Sequence, residues 1–144
     1  MNPPTPARAI PSRGDIWWAK FPQLETVGSE QGKDRPIVVL SVGPLPVVVI
    51  TADPINAALP KICIVVPLSS IVEKANRQFR ILIPESQKIT EPGTGGCPGD
   101  SVALTEQTRC ISTERLCNQK RVGRLKTEAI ASVEAGVRYV LGIP

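Results

Sequence analysis

The stretch "KICIVVPLSS", Lys61 to Ser70, sets the frame for the rest of the chain. From Ile62 it is a near-continuous apolar run that stops at Pro67 and then shows two hydroxyls, Ser69 and Ser70. A short run of this kind, bounded by a proline, reads as a core strand. The two serines emerge where that strand reaches the surface.

Working outward, "RGDIWWAKFP" (13–22) reads as a first strand, because Ile16, Trp17 and Trp18 are good strand formers and Gly14 and Pro22 bound it. A polar loop, "VGSEQGKD" (27–34), leads into a second strand, "RPIVVLS" (35–41). Residues 42–60 hold an apolar run, Val47 to Ile50, between proline-rich turns; it is a further strand or a hairpin extension. "RQFRILIP" (77–84) alternates, with Phe79, Ile81 and Ile83 on one face. "EPGTGGCPGD" (91–100) is a loop by composition, after which "SVALTEQTRCIS" (101–112) resumes the sheet.

The period changes near the end. From Thr127, the apolar positions Ile130, Val133, Val137, Val140 and Leu141 fall at helical spacing. Thr127 is the expected N-cap, with Glu128 in the first turn, and Gly142 can end the helix. The predicted fold is mainly β: one strongly bent antiparallel sheet, or partial barrel, closed by a C-terminal helix.

Composition agrees. The 144 residues suffice for one domain, expected over 13–144, and 42% hydrophobic content suits a globular chain. Fifteen prolines, about twice the usual share, favour strands and stiff turns over a helical bundle. The first twelve residues, "MNPPTPARAIPS", read as a loose tail and lack the apolar segment of a signal peptide. No apolar run approaches the roughly 18–20 residues of a membrane span, so a cytoplasmic protein is expected.

The chain has no histidine, which removes Ser-His-Asp triads, Cys-His pairs and histidine metal sites. Cys63, Cys97, Cys110 and Cys117 form no CxxC pair, so small hydrophobes or bystander thiols are expected. No carboxylate cluster suggests a metal, and no cofactor is called for. Chemistry must come from Arg, Lys, hydroxyls, carboxylates and amides.

Net charge is +4, yet Arg109, Arg115, Lys120, Arg121, Arg124 and Lys126 crowd one stretch against the single acid Glu114. Such a stretch suits a polyanion or an acidic protein segment; a solvated surface is the plainer alternative. Arg35 is the other notable base. The proline after it biases it toward extended geometry, so a planar guanidinium starts from a fixed place at a strand entrance.

In order and spacing, "RGDIWWAKFP", "VGSEQGKDRPIVVLS", "IVVPLSS" and "DSVALTEQTR" resemble the MazF/PemK/Kid family of toxins from type II toxin–antitoxin modules. The resemblance implies an SH3-like partial barrel of twisted antiparallel sheet with a C-terminal α-helix. It implies a homodimeric endoribonuclease that cuts single-stranded RNA without a metal. A separately encoded antitoxin would cover the RNA groove. Arg35 and Ser69 match the family's catalytic arginine and hydroxyl, the latter usually a threonine. Glu30 is a possible helper, and Ser29, Gln31, Ser70, Glu106, Gln107 and Arg109 are expected RNA contacts, Gln107 as a base-reading amide and Arg109 at a phosphate.

Two other classes share this fold expectation: a non-enzymatic toxin like CcdB that poisons gyrase, and an RNA-binding module without catalysis. Arg35-Pro36 and Ser69 fit the nuclease site and have no role in the gyrase reading.

Overall fold

Among the described residues the longest strand is the one read first. In the computed structural model, which describes residues 10–21 and 44–144, it spans Ile62–Ser69. In chain order the described strands are β1 (Asp15–Ala19), β2 (Leu45–Val49), β3 (Ile62–Ser69), β4 (Arg80–Ile83), β5 (Lys88–Thr90), β6 (Ser101–Leu104), β7 (Arg109–Ser112) and β8 (Gly123–Leu125). The helices are α1 (Asp53–Ala58) and α2 (Thr127–Leu141). The expected second strand, 35–41, lies outside the described residues.

All described pairings are antiparallel, in the order β4-β6-β3-β2-β1-β8-β5, with β7 also on β3. One edge of β3 faces β2. Its other edge is shared: Ile62 to Val65 pair with β7, whereas Leu68 and Ser69 pair with β6. Pro67 therefore does not end the strand as its sequence suggests. It falls where β3 changes partner, a break in the ladder that tolerates a residue without an N–H. This change of partner curls the sheet into a partial barrel.

The central strands are apolar on both sides, which explains their unbroken hydrophobic runs. Ile16, Val48, Val66 and Leu68 join one core cluster, which includes Ala129 and Val133 of α2. Trp17, Val47, Val49 and Val65 point the other way, into a cluster with Cys63, Ile111 and Leu116. Full burial of each such side chain contributes about 1.5–3 kcal/mol before the entropy of ordering it.

Polar ties fasten the ends. The buried Asp15 accepts from the Ser12 N–H (2.8 Å) and from Arg121 (3.3 Å), with Arg124 3.8 Å away. Arg121 also reaches Glu91 at 3.2 Å. Burial alone would lower the Arg121 pKa; Asp15 and Glu91 outweigh it and raise it above its usual value. Two bases of the crowded stretch thus serve the fold.

Helix α2 begins one residue earlier than its hydroxyl signal. Lys126, not Thr127, is the cap residue, and no side chain caps it. The Lys126 N–H is fixed by the Gln87 carbonyl (2.8 Å), so the chain leaving β8 has already turned there. Gly142, at φ 69°, ends the helix as expected, with the next N–H bonded to the Arg138 carbonyl. The run Val47 to Ile50, read as a further strand or a hairpin extension, is strand β2 as far as Val49, and the proline-containing stretch after it holds α1. Its six residues are too few to display a helical period, although Pro54 stands in its first turn. Among the described residues, no helix is long and apolar enough to cross a membrane.

Candidate functional site

A groove of about 600 Å³ opens at the end of β3 where the strand passes from β7 to β6. Ser69, Ser70 and Lys74 form one wall, Trp18 and Pro44 another, and Cys97, Ser101 and Gln107 line the rest. Trp18 and Pro44 also border a second cleft of about 590 Å³ carrying Lys20 and Arg115. Lys20, Glu114 and Arg115 in turn border a third, next to Phe21. The clefts thus adjoin one another around Trp18, Lys20 and Phe21, at the end of β1.

Ser69 is the last residue of β3, and its Oγ accepts the Ile71 N–H at 3.2 Å. With one lone pair occupied, the hydroxyl is left as a donor at the groove. Gln107 stands in the short 3-10 turn Thr105–Gln107 between β6 and β7, which brings its exposed amide to the same groove. Sequence separated these two residues widely; the pairing of β3 with β6 unites them.

The neighbours of Gln107 have other partners. Glu106 receives the Arg80 Nε at 3.0 Å. Arg109 lies with its guanidinium 5.2 Å from the Phe21 ring centroid, beside the far cleft rather than in the Ser69 groove. Ser29, Glu30, Gln31 and Arg35 lie outside the described residues.

The structure adds residues that sequence did not single out for chemistry. Trp18 was legible only as a strand former. Ser101 and Lys88 come together across 13 positions, with Lys88 Nζ 2.7 Å from Ser101 Oγ, and no local pattern announces that. The four cysteines are free thiols. Cys63 is buried, and desolvation together with the nearby Cys110 raises its pKa to about 11, so it serves as a hydrophobe rather than a nucleophile.

The family model for the PemK-like, MazF-like toxins of type II toxin–antitoxin systems matches residues 12–45 and 41–141. The chain belongs to this toxin family. Solved structures with the same fold include MazF from Deinococcus radiodurans, at 17% identity and a TM-score of 0.57, covering 94% of this toxin and 99% of that chain. An endoribonuclease from a mycobacterial species matches at 11% identity and a TM-score of 0.58, covering 94% and 95%. A mycobacterial endoribonuclease in complex with its cognate antitoxin matches at 12% identity and 0.54, covering 94% and 96%. No curated protein sequence matches the toxin. At these identities the structural neighbours establish the curled antiparallel sheet with its C-terminal helix.

Proposed function

We propose that this toxin is a metal-independent endoribonuclease that cuts single-stranded RNA, mRNA included, at short sequences and so inhibits translation and growth. The observation that carries the proposal is the Ser69 hydroxyl, left as a donor at the mouth of a groove that also presents the Gln107 amide. The 2′-oxygen of a ribose attacks the adjacent phosphorus and displaces the 5′-oxygen of the next nucleotide. The products are a 2′,3′-cyclic phosphate, or its 3′-phosphate after hydrolysis, and a 5′-hydroxyl.

Negative charge grows on the phosphate oxygens during attack. Ser69 donates to it, and Arg35 supplies the guanidinium. An arginine is a poor base, so Arg35 acts as an electrostatic stabiliser and proton donor, with Glu30 as the helper that orients it or takes the 2′-proton. Ser29, Gln31, Ser70 and Glu106 complete the RNA contacts, Gln107 reads a base, and Arg109 meets the strand at the far cleft. The adjoining clefts, with Lys20 and Arg115, support a single-stranded polymer as substrate.

The toxin acts in the cytoplasm as a homodimer and is held inactive by a cognate antitoxin whose acidic and apolar tail fills the groove. Exposed Ile62 and Ile64, two apart and so on one face of β3, together with exposed Ile55 and Leu59, support an apolar interface.

The test is incubation of antitoxin-free protein with long single-stranded RNA in EDTA, beside Arg35→Ala and Ser69→Ala. The expected result is cleavage by the parent alone, with 5′-hydroxyl ends at a recurring short motif. Intact RNA in every tube, with the protein folded, would overturn the proposal and leave gyrase inhibition and plain RNA binding.

A further inference from the structure

Lys88, on β5, reaches under the loop before β6. Its Nζ donates to the Gly99 carbonyl (2.7 Å), the Cys97 carbonyl (3.1 Å) and Ser101 Oγ (2.7 Å), with Cys97 Sγ 3.5 Å away. Three donors meet three oxygens, so the ammonium is saturated. Among the described residues no carboxylate pairs with it. Among the described residues the charge behind the groove thus meets only neutral oxygens.

Ser101 is 4% exposed and lines that groove. Its Oγ is the acceptor for Lys88, which leaves the hydroxyl proton to point elsewhere, and no described residue receives it. A hydroxyl buried this deeply, with an unused donor, calls for an acceptor from outside. It also stands next to Val102, the partner of Ser69 across the β3–β6 ladder.

We infer that Ser101 is a phosphate-binding hydroxyl of the groove, donating to a non-bridging oxygen of the nucleic-acid backbone, and that Lys88 is its positioning residue. The inference rests on reading the groove as a nucleic-acid track. An anionic oxygen is favoured over a base carbonyl because the cation behind Ser101 polarises the hydroxyl toward negative charge. Lys88 also ties down the carbonyls of Cys97 and Gly99, so it holds the loop that forms the groove floor. The contact fixes the register of the strand relative to Ser69.

The experiment uses a single-stranded oligodeoxynucleotide, which has no 2′-hydroxyl and cannot be cut, and a series in which one linkage at a time is a neutral methylphosphonate. Binding is followed by fluorescence anisotropy for the parent, Ser101→Ala and Lys88→Gln. For the parent, one linkage is expected to be sensitive, its neutralisation weakening binding by about tenfold. In Ser101→Ala the all-phosphate probe should bind about tenfold more weakly, and that linkage should lose its sensitivity. Lys88→Gln should flatten the same linkage; should it unfold, Ser101→Ala decides alone. An unchanged profile in Ser101→Ala, or no binding of the probe by the parent, overturns the inference. A parent that leaves RNA intact yet shows the Ser101-dependent linkage would sink the nuclease and retain the phosphate site.

Discussion

Arg80 Nε lies 3.0 Å from Glu106 Oε1, tying β4 to the turn that carries Gln107. The register also sets Arg80 opposite Leu104, so backbone and side chain secure the same corner. Both side chains are partly exposed, at 36% and 25%, which limits the pair to about 0.5–1 kcal/mol. Arg80→Ala and Glu106→Ala should each lower stability by about that amount, and the double variant by less than their sum. Urea melts of the four proteins measure this, and strict additivity would contradict it. Gln107→Ala should leave stability nearly unchanged while relaxing the base preference in mapped RNA cuts.

For Ser69 the decisive comparison is alanine against threonine. Ser69→Ala removes the donor and should lower single-turnover cleavage by about 10²–10³. Ser69→Thr keeps the hydroxyl and stiffens χ1, so it should retain most of the rate. Equal losses in both would show that the space at the end of β3 matters, not the hydroxyl.

Gly136 sits on the buried face of α2, where an added Cβ would lie 3.0 Å from both Ile81 Cγ1 and Thr105 Cγ2. Alanine would otherwise favour the helix by about 1 kcal/mol. Thr105 cannot yield easily, since it is 1% exposed and its hydroxyl donates to the Phe79 carbonyl. Gly136→Ala should therefore bring no stabilisation, and Gly136→Val should destabilise by about 1–3 kcal/mol. A higher melting temperature for the alanine variant would show that the helix can move away from β4.

Cys63 gives a pH signature. Its folded pKa is raised from 9.0 to about 11, so between those values the folded protein keeps a proton that the unfolded chain releases. Its contribution is fully present below pH 9 and is lost as pH rises toward 11, by roughly 2–3 kcal/mol. The fall in stability from pH 8 to 11 should be shallower in Cys63→Ala than in the parent. In native protein at pH 8, exposed Cys110 should react with a thiol reagent while buried Cys63 waits for unfolding.

Much of the fold was legible because central strands that are apolar on both faces leave unbroken hydrophobic runs. Ile62–Val66 read as a core strand and the spacing of Ile130, Val133 and Val137 as a helix, whereas Val47–Ile50 read as a further strand or a hairpin extension. The three-residue strands Lys88–Thr90 and Gly123–Leu125 were not legible, because three residues show no period. Pro67 misled for a related reason. A proline's local effect ends strands, and only the exchange of β7 for β6 beside it lets β3 continue.

By itself the sequence determined the composition of the site: without histidine, the chemistry had to rest on Arg, Lys, hydroxyls, carboxylates and amides, and Ser69 and Gln107 stood among them. Tertiary structure alone decided which of these meet. Strand pairing brings Ser69, Ser101 and Gln107 to one groove, gives Glu106 to Arg80, and turns Arg121 inward to Asp15. The physical reason is that alternation along a strand is local, whereas the partner across a ladder is set by register and curl, which no short stretch of chain encodes.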